Sequence, residues 1–116
     1  MAVRTKRVYE PASADDGYRV LVDRVWPRGV SKEDAAVDEW ARQLAPSTEL
    51  RKGFAHKPER FEEFRRRYRG ELSTREDEIK ALRTRGRKGN VTLLFGARDA
   101  ERNNAVVSAE VVGDAR

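Results

Sequence analysis

The sequence predicts an α/β fold, a small and largely parallel sheet flanked by helices in one domain. Three observations predict it. Val20-Leu21-Val22 and the run over residues 91–97 are apolar at consecutive positions, as in strands covered on both faces. Between them, residues 31–86 carry apolar side chains at helical spacing. The 116 residues fit one domain, taken as residues 1–116.

Residues 3–9 are rich in β-branched side chains and partly alternate, which predicts a first strand. Residues 10–17, with Pro11, Asp15, Asp16 and Gly17, form a turn-rich loop. A second strand is expected over residues 18–26, stopped by Pro27 and Gly29. Ser31 and Asp34 resemble a capping box, and Val37, Trp40, Ala41 and Leu44 come after it at i, i+3, i+4, i+7, which predicts an amphipathic helix of about three turns. Pro46 ends it, and Ser47 caps a short helix through Phe54. Pro58 suits the first turn of the next helix, whose stripe is Phe61, Phe64, Tyr68 and Leu72. Ser73-Thr74-Arg75-Glu76 is expected to be a capping box opening a further helix, with Glu76 and Lys80 paired and Ile79 and Leu82 inward. Gly86 and Gly89 close it before the strand over residues 91–97. Asp99 can cap the last element, where Ala105, Val106, Ala109 and Val112 fit a helix, though the valines leave a strand as a rival.

Composition narrows the chemistry. Hydrophobic residues at 38% and charged residues at 39% suit a globular, charge-rich chain. No apolar run approaches the roughly 20 residues that span a bilayer, and the first ten residues lack an apolar signal core. A cytoplasmic protein with no membrane partner is therefore expected. Cysteine is absent and His56 is the single histidine, so thiolate chemistry is excluded, and neither a metal site nor a bound cofactor is expected.

The net charge is +5, and its excess sits in residues 51–90, where fourteen Lys and Arg face seven Asp and Glu. Such a face attracts polyanions, nucleic acid among them, or is simply a solvated helical face; the interleaved acids favour the second.

The two apolar strands, joined by a long helical crossover, should be parallel, with their carboxyl ends on one side of the sheet. Ligands in open α/β sheets bind outside those ends. Arg24, Arg28 and Arg98 are expected there, with Trp26, Asp23, Asp99, Asn103 and Asn104 among them. Guanidinium groups suit carboxylate or phosphate. A small anionic ligand is thus the first expectation, with Trp26 as a flat wall and Asn103 and Asn104 as neutral donors or acceptors. The bland alternative is that Asp23 and Asp99 pair with the arginines in a structural network. A second function is nucleic-acid binding through residues 51–88. A third is a small hydrolase with Asp23 or Asp99 as base, although arginines beside a carboxylate lower its pKa and weaken it as a base unless Mg²⁺ joins the two acids. His56 is a further candidate for proton transfer. Arg65 falls beside the apolar stripe and is expected to snorkel or to reach a carboxylate. No GxSxG, P-loop or GxGxxG spacing occurs.

VDRVWPRG, LAPSTELRK and LLFGARD together resemble the YeaO-like branch of the family catalogued as domain of unknown function 488, over residues 8–107 and nearly the whole chain. The resemblance implies a bacterial intracellular α/β protein with no established activity. Relatives commonly carry histidines in a pattern like EHNHAVV, where this chain has Arg102 and Asn104, and more distant ones carry cysteines near that strand end. A histidine- or thiol-dependent mechanism does not carry over; an arginine-lined site does.

Overall fold

A computed structural model describes residues 2–113; residues 1 and 114–116 of the single-domain span lie outside the described residues. Four parallel strands form one sheet in the order β1-β4-β2-β3. They are β1 (Ala2–Arg7), β2 (Tyr18–Leu21), β3 (Glu39–Trp40) and β4 (Asn90–Phe95). Val91 lies between Val3 of β1 and Tyr18 of β2, so the last strand in the chain occupies the centre of the sheet. The predicted parallel pairing of the two apolar strands is present.

The period-two alternation of the strands sends side chains to two unlike layers. Val20, Val22, Val91, Leu93 and Phe95 face the main core with α3 (Phe61–Leu72), α4 (Glu76–Lys88) and α5 (Asn104–Gly113). The expected stripe of Phe61, Phe64, Tyr68 and Leu72 is buried there, as are Ile79 and Leu82. The opposite face holds a smaller cluster of Val8, Leu21, Ala35 and Leu94 under Trp26, Val30, Val37 and Trp40.

The segment between β1 and β2 crosses that second face, and it is held by charge as well as by packing. Asp16 and Arg19 are each 4% exposed and form an ion pair, with Lys6 Nζ 3.1 Å from Asp16. Arg19 also donates to the carbonyls of Ala35 and Ala36. Thr92 donates to the Asp16 carbonyl at 2.7 Å. Burial alone would raise the Asp16 carboxyl, but the Ser13 N–H, Lys6 and Arg19 outweigh it and hold it below the usual carboxylate range. Gly17 comes next at φ +65°, where an added Cβ would stand 2.2 Å from the Asn90 carbonyl oxygen. Only glycine fits this crossing.

The helix expected after Ser31 is not formed. Ser31 caps a single turn, α1 (Lys32–Ala35), which ends at Ala36 in the left-handed region. The chain then turns extended, because β2 offers it partners. The Asp38 carboxylate accepts the Arg19 N–H at 2.9 Å, Tyr18 donates to Glu39 at 2.8 Å, and Ala41 N–H donates to the Leu21 carbonyl. Trp40 therefore lies on the edge strand, and a 3-10 turn over Arg42–Leu44 delivers Leu44 to the core. Ala41 and Leu44 are buried as a helix would have buried them, which is why the spacing misleads.

Ser47 caps α2 (Thr48–Phe54) as expected. The capping box at Ser73 is absent: the Ser73 and Thr74 hydroxyls donate back to the Gly70 and Glu71 carbonyls and finish α3 instead. The Glu76–Lys80 pair is present at 4.0 Å. Residues 104–113 are helical, not extended. No helix among the described residues is long and apolar enough to cross a membrane.

Candidate functional site

Asp23 stands just past the carboxyl end of β2. Its Oδ2 accepts the Gly96 N–H at 2.9 Å, beyond β4, and its Oδ1 accepts Asn104 Nδ2 at 3.0 Å, at the start of α5. Three elements thus meet on one carboxylate. A Cβ at residue 96 would lie 3.1 Å from that Oδ2 and 3.4 Å from Pro27 Cβ, so glycine makes room for the contact. Burial pushes the Asp23 carboxyl above the usual carboxylate range, ahead of the opposing pull of Asn104, the Gly96 N–H, Arg51 and His56. The loop after Asp23 is pinned by two indoles: Trp40 Nε1 donates to the Asp23 carbonyl and Trp26 Nε1 to the Val30 carbonyl, both at 2.8 Å. Their rings meet edge to face at 5.4 Å.

A crevice of about 330 Å³ opens over this carboxylate. Asp23 and Asn104 line it together with Trp26, Pro27, Phe54 and Phe64. Arg24, Arg28 and Arg51 bring positive charge, and His56 lines the crevice beside them. Arg24 is steadied by the carbonyls of Pro46 (3.2 Å) and Ala45 (3.4 Å). Arg51 sits on α2, and the chain past α2 turns through two left-handed residues, Ala55 (φ 50°) and His56 (φ 55°), which returns His56 to the crevice. Histidine tolerates this region better than most side chains; the strain at Ala55 is held by the C-terminal cap of α2. Tyr9 and Val25, 42% and 58% exposed, also line the crevice.

Of the residues expected from the sequence, Asp23, Arg24, Trp26, Arg28, His56, Asn103 and Asn104 share this crevice. Arg98 is exposed, and it and Asp99 stand outside the lining. The Glu101 and Arg102 N–H groups, at 2.9 and 3.0 Å, hold the Asp99 carboxyl below the usual range, and Arg102 adds an ion pair at 3.4 Å. Asn103 is buried and commits its amide to structure: Nδ2 donates to the Asp99 carbonyl and Oδ1 accepts the Val106 N–H, capping α5. The expectation that arginines would depress Asp23 is overturned, because its hydrogen bonds come from Gly96 and Asn104 and burial dominates. Arg51 is a lining residue that sequence reasoning does not reach. It lies on an exposed helical position more than twenty residues from Arg24 and Arg28, and only a contact map between segments 24–28 and 51–56 would find it.

Some bases of segment 51–88 are paired with acids, while the segment keeps an excess of positive charge. Arg66 and Arg67 share Glu63, Arg65 and Arg69 share Glu110, and Arg83 caps α5 through the Val111 and Val112 carbonyls. Arg85 lies 3.7 Å over the Tyr18 ring. Arg65 reaches the Glu110 carboxylate at 3.2 Å while resting over Phe61. Among the described residues, no three His, Cys, Asp or Glu side chains are grouped to hold a metal ion.

Known proteins resemble this chain along nearly its full length. A family model described as the inactive DUF488-N3 subclade matches residues 2–116. The uncharacterized protein YeaO of Escherichia coli (strain K12) is 46% identical over 110 residues, 95% of this chain and 96% of its own length. The uncharacterized protein Mb3100c of Mycobacterium bovis is 44% identical over 110 residues, 95% of this chain and 92% of its own. No solved structure gives a significant match.

Proposed function

The chain belongs to the inactive DUF488-N3 subclade, and on that premise we propose that it binds a small anionic ligand, carboxylate- or phosphate-bearing, in the crevice over Asp23. The observation that carries this reading is the charge balance of the lining. Arg24, Arg28 and Arg51 face one acid, Asp23, and among the described residues none of the three forms an ion pair. The three arginines are exposed at the crevice, where an incoming anion reaches their guanidinium groups, and apolar walls lie beside them. Planar guanidinium donors suit both anion classes.

Binding without turnover also accords with the composition of the lining. Among the described residues the lining contains no Ser, Thr, Cys or Lys for Asp23 to activate; Tyr9 and His56 are its other titratable groups besides arginine. The family description as inactive points the same way.

The test is a thermal-shift titration with inorganic phosphate and with 3-phenylpropanoate. A ligand that binds only the folded state raises the midpoint with concentration. Stabilisation of the wild type by either anion, lost in Arg51→Ala, supports the reading. No stabilisation by either overturns it.

A further inference from the structure

We infer that the crevice selects a compact zwitterion, an ammonium joined to a carboxylate or phosphate, whose cationic group is held by Asp23 and Asn104 while its anionic group meets Arg51 and its neighbours. This rests on the anion-binding reading and adds a second pole to it.

The two poles arise where hydrogen-bonding capacity is left unused. Asp23 has about four acceptor positions as a carboxylate, and Gly96 and Asn104 occupy two of them. Asn104 turns both amide hydrogens inward, to the Val22 carbonyl at 2.9 Å and to Asp23, and among the described residues its Oδ1 has no protein partner. Asp23 and Asn104 therefore offer acceptors, while the arginines offer only donors. A purely anionic ligand would satisfy the arginines and face the Asp23 carboxylate with like charge. A ligand carrying an ammonium at one end and a carboxylate or phosphate at the other satisfies both. Trp26, Phe54 and Phe64 supply apolar surface for a side chain, and about 330 Å³ suits a molecule of that size.

Matched pairs isolate the ammonium. L-phenylalanine is compared with 3-phenylpropanoate, and phosphoethanolamine with ethyl phosphate, each titrated calorimetrically into the full chain. The zwitterion of at least one pair is expected to bind at least about tenfold tighter than its partner, the worth of one charge-assisted hydrogen bond. Which pair shows the preference tells carboxylate from phosphate. Asp23→Asn should level the pair, and Arg51→Ala should weaken both members.

Asp23→Asn also disturbs the Gly96 contact, so a measurement on the wild type stands beside it. A ligand ammonium favours the ionised carboxylate, so at mildly acidic pH the proton leaves Asp23 for the buffer as the zwitterion binds. Heats of binding for L-phenylalanine, a ligand with no group of its own titrating at that pH, should report net proton release in two buffers of different ionisation enthalpy. Equal affinity within both pairs, or proton uptake, overturns the zwitterion while leaving the anion site standing. Absence of binding by all four compounds overturns both.

Discussion

Asp23 Oδ2 accepts the Gly96 N–H at 2.9 Å, so the segments that leave β2 and β4 are tied to each other at the bottom of the crevice. Gly96→Ala tests how closely that tie is fitted. Its Cβ must displace Asp23 Oδ2 from 3.1 Å and crowd Pro27. A loss of about 1–2 kcal/mol is expected, as for other overpacked sites, together with weakened ligand binding. Urea unfolding and the phosphate titration measure the two effects separately; an unchanged midpoint and affinity would show the loop simply yields.

Asp16→Asn should be the more damaging change. It leaves the Arg19 guanidinium buried without its counter-charge, at a cost of about 3–5 kcal/mol. The pH dependence has a defined sign. The folded-state carboxyl lies below its unfolded value of 3.8, so its contribution is complete above that pH and is lost as pH falls through the folded value. Wild type and variant should thus converge in stability on acidification, as monitored by circular dichroism.

Asp23 carries the opposite sign. Its folded-state carboxyl lies above 3.8, so the folded protein holds the proton more tightly and stability falls as pH rises from that value through the folded one. Asp23→Asn should flatten this part of the stability profile. A variant profile parallel to the wild type over mildly acidic pH would contradict the assignment.

Gly17→Ala places a methyl 2.2 Å from the Asn90 carbonyl at a positive φ. A loss of at least about 2 kcal/mol is expected in denaturant unfolding. By contrast Arg98→Ala, at an exposed side chain outside the crevice lining, should stay within about 0.5 kcal/mol of wild type and leave anion binding unchanged.

The residues legible in the sequence are those with one dominant interaction. Leu93, Leu94 and Phe95 have to be buried on both faces, and Phe61, Phe64, Tyr68 and Leu72 have a single stripe to bury. Residues 31–44 mislead because Trp40, Ala41 and Leu44 are inward in either conformation; what decides is the Arg19 N–H and Tyr18 hydroxyl of β2, partners from a distant segment. The same limit applies to the site. Asp23, Arg24 and Arg28 are legible as residues that follow a strand, whereas Arg51 is brought in by the packing of α2, and His56 by the left-handed turn at Ala55 and His56, neither of which local sequence announces. Asn103 has the chemistry of a ligand-binding residue and the geometry of a helix cap, and only coordinates separate the two.

The order β1-β4-β2-β3 also bears on how the chain reaches this state. β1 has its strand partner only in residues 90–95, so a nascent polypeptide emerging from the ribosome cannot close the sheet until about four fifths of these 116 residues have been synthesised. Truncation before residue 90 should therefore yield a protease-sensitive species rather than a smaller folded one, and refolding should be slow for a chain of this length, since its central pairing is wholly non-local.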